Sequence, residues 1–346
     1  MNPKRTVLST LVAAGLSLAA AQADAQTVLR TQMGQNAGDF VFRHITEVWM
    51  PKLETMTGGK VKFEPYPANA IVPSREVLDA VAEGVLQADL VSPIFYSGKD
   101  PAYALIGDLT AGYASPDQMA AWCSIGGGKE LLQKADDKYA EGRVHVVGCA
   151  PYTLESLAAK VPIRGLADLK GVKVRAPAGL SSEVFRRAGA TPVSIPFSEV
   201  YTGLEKGIVD AADAAAYANN ASQGFNDIAP YPLYPGFHST PVFEFAINKK
   251  VWDSLDKASQ TALEVWFEAA YNDLRRVAHI EDEKLVRRDS KPGSKVHVID
   301  WPQKDRDAFR KIAVGAWKSF SEKSPLAEEV YESHMKFLNE LGLLRE

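Results

Sequence analysis

A chain of 346 residues, 46% hydrophobic and 24% charged, has the balance of a soluble globular protein. It is too long for one ordinary core and suits two lobes. A net charge of −4 argues against nucleic acid or an anionic membrane as partner. Two cysteines, Cys123 and Cys149, carry no disulfide framework; one bridge and two buried thiols are both open readings.

In chain order, residues 1–25 read as a secretory signal peptide. Lys4 and Arg5 precede an apolar stretch, Val7 to Ala21, that is too short to span a membrane, and Ala23-Asp24-Ala25 offers a small-x-small cleavage site. No cysteine follows for a lipid anchor, so the expected location is the periplasm. Thr27–Met33 then reads as a strand. Phe40–Met56 reads as a helix, its apolar residues Phe40, Val41, Ile45, Val48 and Trp49 falling near 3.6 spacing. Lys60–Tyr66 alternates as a strand, and Ser74 is placed to cap a helix running to Gly84. Ala88–Ser92 and Val144–Gly148 are further strands. Val172–Val174, Pro192–Ile195 and Val209–Ala212 are short strands separated by helices at Leu180–Ala188 and Ser198–Lys206. This β-α-β alternation predicts an α/β fold with a largely parallel sheet. Ala229–Pro241, APYPLYPGFHSTP, holds four of the twenty prolines and predicts a rigid path. A strand at Val242–Ile247, a long helix at Lys257–Arg288, a last strand at Lys295–Ile299 and helices at Gln303–Ser321 and Pro325–Leu341 complete the chain.

Motifs for catalysis are missing. There is no G-x-S-x-G elbow, H-E-x-x-H, C-x-x-C, acidic EF-hand loop or G-x-G-x-x-G. GGGK at Gly126–Lys129 lacks the Ser/Thr of a phosphate-binding loop, because Glu130 stands there, and reads as a glycine-rich helix start. None of the six histidines is paired with a second at metal spacing. Arg175 is the residue that asks for a role. It ends a strand just before Pro177 and a helix start near Leu180, and a guanidinium there matches a carboxylate with two parallel hydrogen bonds. Strand ends of this kind are where α/β sheets place ligands, and a helix N-terminus favours anions. The plainer alternative pairs Arg175 with Asp168 or Asp210.

The run "GVKVRAPAG" continuing to "GATPVSIPFSEVYTGLEKGIVDAAD", Gly171 to Asp213, resembles the solute-binding proteins of TRAP (tripartite ATP-independent periplasmic) transporters. So do "AIVPSREVLDAVAEGVLQADLVSPIFYSGKDPAYAL", Ala70 to Leu105, and "INKKVWDSL" with "QTAL" between Ile247 and Leu263. "YSGKDPAYAL" and "IGGGKELL" are similar to the branch that binds 2-oxo acids. The resemblance implies a two-lobe, periplasmic-binding-protein-like α/β fold with mixed sheets, a long connecting helix and C-terminal helices. Lobe I would comprise 26–150 with about 242–300, lobe II 151–241, and the helices of 301–346 would pack on the lobes or on a partner subunit. An organic acid would bind in the inter-lobe cleft, anchored by Arg175, and pass to membrane permease subunits; a homodimer is also open.

In that branch a Gln and a Glu help to hold a metal ion that bridges to the ligand, and the family often has a Trp after the "DAA(D/E)" motif. Aligned by eye, Thr153 stands for the Gln, Ser239 lies near the Glu position, and Ala214, Ala215 and Ala216 follow Asp213 where the Trp is common. The expectation is therefore no metal, no cofactor and a roomier pocket for a larger carboxylate, aromatic or branched. Further cleft candidates are Thr153, Tyr96, Glu155, Tyr217, Asn219, Phe237 and His238. Each has a plainer reading: packed tyrosine, exposed charge, helix start or structural histidine. An exported enzyme acting on a small carboxylate and a ligand sensor feeding a membrane receptor are the alternative functions.

Overall fold

The computed structural model describes residues 26–344; the predicted signal peptide lies outside the described residues. Among them nine strands form: β1 (Thr27–Met33), β2 (Val61–Tyr66), β3 (Ala88–Leu90), β4 (Val144–Pro151), β5 (Ser156–Ala159), β6 (Lys173–Arg175), β7 (Thr191–Val193), β8 (Ala211–Ala215) and β9 (Val242–Asn248). They make two sheets, ordered β2-β1-β3-β9-β4 and β5-β8-β6-β7. β1 runs parallel to β2 and β3, and β6 parallel to β7 and β8. β9 is antiparallel to β3 and β4, and β5 to β8. Both sheets are therefore mixed. The chain leaves the first sheet at the end of β4, enters the second at β5 and returns through the proline-rich loop to β9.

The predicted strand Lys295–Ile299 does not form. Its place is taken by an irregular segment beside the loop, with one isolated bridge from Ile299 to Leu233. His297 N–H donates to Pro230 O (2.7 Å), Ile299 N–H to Pro232 O (2.9 Å) and Tyr234 N–H to Ile299 O (2.9 Å). Pro230 and Pro232 accept but have no N–H to return, so a two-sided ladder cannot propagate. Ser74 does not cap either. It opens a short 3₁₀ turn, Ser74–Glu76, ahead of the helix Val77–Ala82. The Asn69 carboxamide oxygen accepts from its N–H (2.9 Å) and hydroxyl (3.2 Å). The stretch Phe40–Met56 is helical throughout but widens to a π-helical turn at His44–Trp49, where Met50 N–H donates to Ile45 O. Pro51 follows with no N–H to continue the α ladder, a common setting for such a turn. GGGK opens the helix Gly128–Tyr139, with Gly127 at φ 96 in the left-handed region.

The long helix Lys257–Asp289 has 33 residues, a span of about 50 Å. Its Asp256 cap accepts from Ser259 N–H at 2.7 Å. Leu263, Trp266, Phe267, Ala270 and Tyr271 pack in the core under the first sheet. Its far end reaches the helix Tyr217–Ser222 behind the second sheet, where Asp282 accepts from Ala218 N–H (2.6 Å) and Asp289 from Tyr217 Oη (2.7 Å). The closing helices Gln303–Ser321 and Pro325–Glu340 also touch both halves. Phe309 meets Phe185 beside the second sheet, and Trp317 Nε1 donates to Thr110 O (3.0 Å) beside the first.

His334 on the last helix is wholly buried. Its Nε2–H donates to Leu105 O (3.1 Å), its Nδ1 accepts from Tyr113 Oη (2.9 Å), and its ring stacks 3.7 Å from Trp122. Burial pulls its pKa from 6.5 down to about 3. The fold thus holds His334 neutral where the unfolded chain would charge it. The stability it contributes is complete above pH 6.5 and lost as pH falls toward 3. His334→Gln is expected to flatten the loss of stability across that window in denaturant titrations; a slope equal to the parent's would refute the assignment.

Candidate functional site

β6, an interior strand, carries Arg175 to the C-terminal end of the second sheet's strands, where Ala176 and Pro177 end the ladder. The side chain is 4% exposed. Its Nη1 donates to Asp213 O on β8 (2.5 Å) and its Nε to Ile195 O (3.2 Å). Neither predicted acid pairs with it: Asp168 accepts from Arg164 N–H (2.7 Å) and Asp210 from Lys173 N–H (3.0 Å). Two carbonyls therefore aim a guanidinium that makes no carboxylate salt bridge among the described residues. Burial disfavours its charge, and the nearby Asp213 and Glu155 offset that cost.

Arg175 lies in a cleft between the sheets. Gly34, Gln35, Ser92 and Phe95 line the side of the first sheet; Phe197, Ala214, Ala215 and Asn219 line the side of the second; Glu155, Ser239 and Phe243 close the crossing strands. Gln35 Oε1, Ser92 Oγ and Asn219 Oδ1 are buried here without a hydrogen-bond partner among the described residues. Asp108 also faces the cleft. Its Oδ1 accepts from Thr240 N–H (3.0 Å) and its Oδ2 from Thr110 Oγ1 (3.2 Å) and Ser181 Oγ (3.4 Å).

Behind this surface is a buried polar cluster. His238 Nε2 lies 3.1 Å from Asp213 Oδ1. Burial and the charge of Asp213 push Glu155 well above the usual carboxylate range. Burial also opposes charge on Asp213, but the neighbouring His238, Glu155 and Arg175 outweigh it and draw its pKa to about 2. A neutral Glu155 beside a charged Asp213 is the arrangement that follows. The same three residues offer one ligand atom each, two carboxylate oxygens and an imidazole nitrogen, all within 4.8 Å of one another. Among the described residues Asp213 Oδ2 and His238 Nδ1 have no hydrogen-bond partner. The donor set thus fits a cation as well as a proton.

Of the residues singled out in the sequence, Arg175, Glu155 and Asn219 share the cleft. Tyr96 is under its mouth, fully buried and edge-on to Tyr103. His238 is one layer behind, against Asp213. Thr153 faces a different groove, beside Tyr234 and Arg276, and its hydroxyl donates to Leu154 O (2.9 Å). Tyr217 is tied to Asp289, and Phe237 stacks on Trp301 at 4.4 Å. Sequence reasoning missed Gln35, Ser92, Asp108 and Phe197, which stand in turns without periodicity. It also assigned no role to Asp213, although the quoted "GIVDAAD" contains it.

A family model described as bacterial extracellular solute-binding protein, family 7, matches residues 33–324. A monocarboxylate 2-oxoacid-binding periplasmic protein of Nostoc is 28% identical over 317 residues, covering 90% of this chain and 84% of the relative. A TRAP periplasmic solute-binding protein of Rhodobacter sphaeroides, solved in an apo open form, is 37% identical with TM-score 0.75, covering 92% of this chain and 100% of that one. A TRAP transporter solute-binding protein of Bordetella bronchiseptica, a mixed-occupancy dimer with calcium and picolinate in one site, is 25% identical with TM-score 0.76, covering 92% and 93%.

Gly236 holds the floor of the cleft in place. A Cβ there would stand 2.1 Å from Glu155 O, backbone that cannot swing aside. Gly236→Ala is expected to cost about 1–3 kcal/mol in chemical denaturation and to displace residues 154–155. Parental stability with an unmoved Glu155 would show that the contact imposes no constraint.

Proposed function

The chain belongs to family 7 of the bacterial extracellular solute-binding proteins, the TRAP solute-binding proteins rather than enzymes, and on that premise we propose that it captures an organic acid in the cleft with Arg175 as carboxylate anchor. The observation that carries this reading is the buried guanidinium aimed by two carbonyls and unpaired with any carboxylate. Its fixed donors match a carboxylate ligand in a site where little water screens the attraction.

The remaining cleft suits a ligand with more than an acid group. Phe95, Phe197 and Phe243 provide aromatic walls, and Ala214 and Ala215 leave space beside Arg175; such walls suit an aromatic or branched body. Gln35 Oε1, Ser92 Oγ and Asn219 Oδ1 are acceptors for a hydroxyl or N–H at its other end. The Bordetella relative holds picolinate, an aromatic acid, and the Nostoc relative is named for 2-oxo acids. Glu155, Asp213 and His238 would hold a cation, which would add positive charge for a ligand oxygen beside the guanidinium.

Capture is read as closure of two lobes, 26–150 with 242–300 against 151–241, the helices of 301–346 packing over both. The division into two sheets and the crossings at 151–156 and 230–241 support this reading. The protein would act in the periplasm and deliver its cargo to membrane permease subunits.

A thermal-shift screen of the mature chain against 2-oxo, aromatic and branched acids, with and without calcium or chelator, tests the class. A ligand at about 100 times its Kd adds roughly 2.7 kcal/mol, several degrees of midpoint. Arg175→Lys, which keeps charge but loses the planar fork, is expected to weaken the best acid at least tenfold, and Arg175→Ala to abolish the shift. Equal shifts in Arg175→Ala and parent would remove the anchor. Ala214→Trp is expected to suppress the response to the bulkiest acids while sparing the smallest; uniform loss would count against a wide pocket.

A further inference from the structure

The two cysteines meet well away from the cleft. Cys123 sits on the helix Pro116–Ile125, and Cys149 on β4, against which that helix packs. A register shift between Val146 and Gly148 in the β4–β9 pairing resets the alternation of side chains. Cys149 thereby shares one core with Val144, Val146 and Cys123, while Val147 and Ala150 join the other. Gly148 keeps β4 close to the long helix, since a Cβ there would meet the Phe267 ring at 2.9 Å. The thiols are 1% and 8% exposed. Both line a single cavity whose mouth carries Asp117, Ser124, Lys129 and Glu268.

We infer that Cys123 and Cys149 form an intramolecular disulfide that ties the helix Pro116–Ile125 to β4. The helix is already seated on the strand and both cysteines line the same cavity, so the two sulfurs face one another's element across a short gap in the fold. The oxidant is a disulfide of a small thiol or of a thiol–disulfide oxidoreductase, reaching the sulfurs through the polar mouth. One cysteine thiolate attacks a sulfur of that disulfide, forming a mixed disulfide and releasing one thiol. The second cysteine attacks the first cysteine's sulfur and releases the other thiol. The two cysteines lose two protons and two electrons, and the oxidant is reduced to two thiols. Burial holds the Cys149 thiol pKa well above its ordinary value, which slows the uncatalysed step near neutral pH. The bridge closes a loop around the helix Gly128–Tyr139 and restricts the unfolded chain. Its formation in the cell rests on the export part of the proposed function; its formation in the purified chain does not.

The test is a thiol count on the folded mature chain after prolonged incubation with oxidised glutathione, acid quench, denaturation and maleimide labelling, read by intact mass. The expected product is monomeric, unlabelled and lighter by two hydrogens, with one peptide pair joined through Cys123 and Cys149. Dithiothreitol should restore both labels and lower the melting midpoint by several degrees. In Cys123→Ser and Cys149→Ser the midpoint should ignore the reductant; if either variant does not fold, the count on the parent chain still decides. Two labelled thiols after oxidation, a stable glutathione adduct or a covalent dimer would each overturn the inference. A chain isolated reduced that closes with oxidised glutathione supports the bridge and counts only against export.

Discussion

A buried guanidinium has to keep its charge without surrendering its donors, and the cleft is arranged around that constraint. Arg175 is aimed by carbonyl oxygens from β8 and from residue 195, which stabilise a cation but cannot neutralise it. Counter-charge comes from Asp213, whose backbone oxygen meets the guanidinium while its carboxylate points to His238. A direct salt bridge would have occupied the fork and made the site indifferent to an incoming acid. Held this way, the charge is stabilised at short range and still free to pair with a ligand.

The carboxylates nearby would repel one another if all were ionised. Burial pushes Glu155 and Asp108 upward, Asp108 to about 7, while His238 and its neighbours hold Asp213 charged. Serine and threonine hydroxyls and the Thr240 N–H satisfy the Asp108 oxygens. The cluster is thus a graded set of proton and cation acceptors behind one fixed cation, a different chemistry from a pocket with arginine alone.

The scaffold explains how two sheets can bound one cleft and keep a shared frame. The long helix anchors by apolar packing under the first sheet and by Asp282 and Asp289 to the helix behind the second. Prolines that cannot return hydrogen bonds keep the 230–241 crossing irregular, and Gly236 lets that crossing press against the Glu155 carbonyl. Backbone from two distant stretches therefore sets where Glu155 points.

Periodicity and local chemistry determined much of this in advance. β1 matches its predicted bounds, the helices Gln303–Ser321 and Lys257–Asp289 fall where apolar spacing places them, and Arg175 announces itself by ending a strand before a proline. β5 escaped notice because Ser156–Ala159 has no alternation to read, and Lys295–Ile299 misled because its alternation had no ladder partner. The family resemblance located the cleft but not its lining: Thr153 turns away where Glu155 turns in, and Tyr217 and Phe237 spend their polar edge or ring face on scaffold contacts. The sequence by itself determined the α/β class, most of the order of elements and the position of Arg175 at a strand end, because these follow from short-range backbone preference and side-chain period. Only the tertiary structure decided which acids crowd together, which of them stays charged and which thiols meet, because those depend on distances between residues far apart in the chain and on water removed from around them.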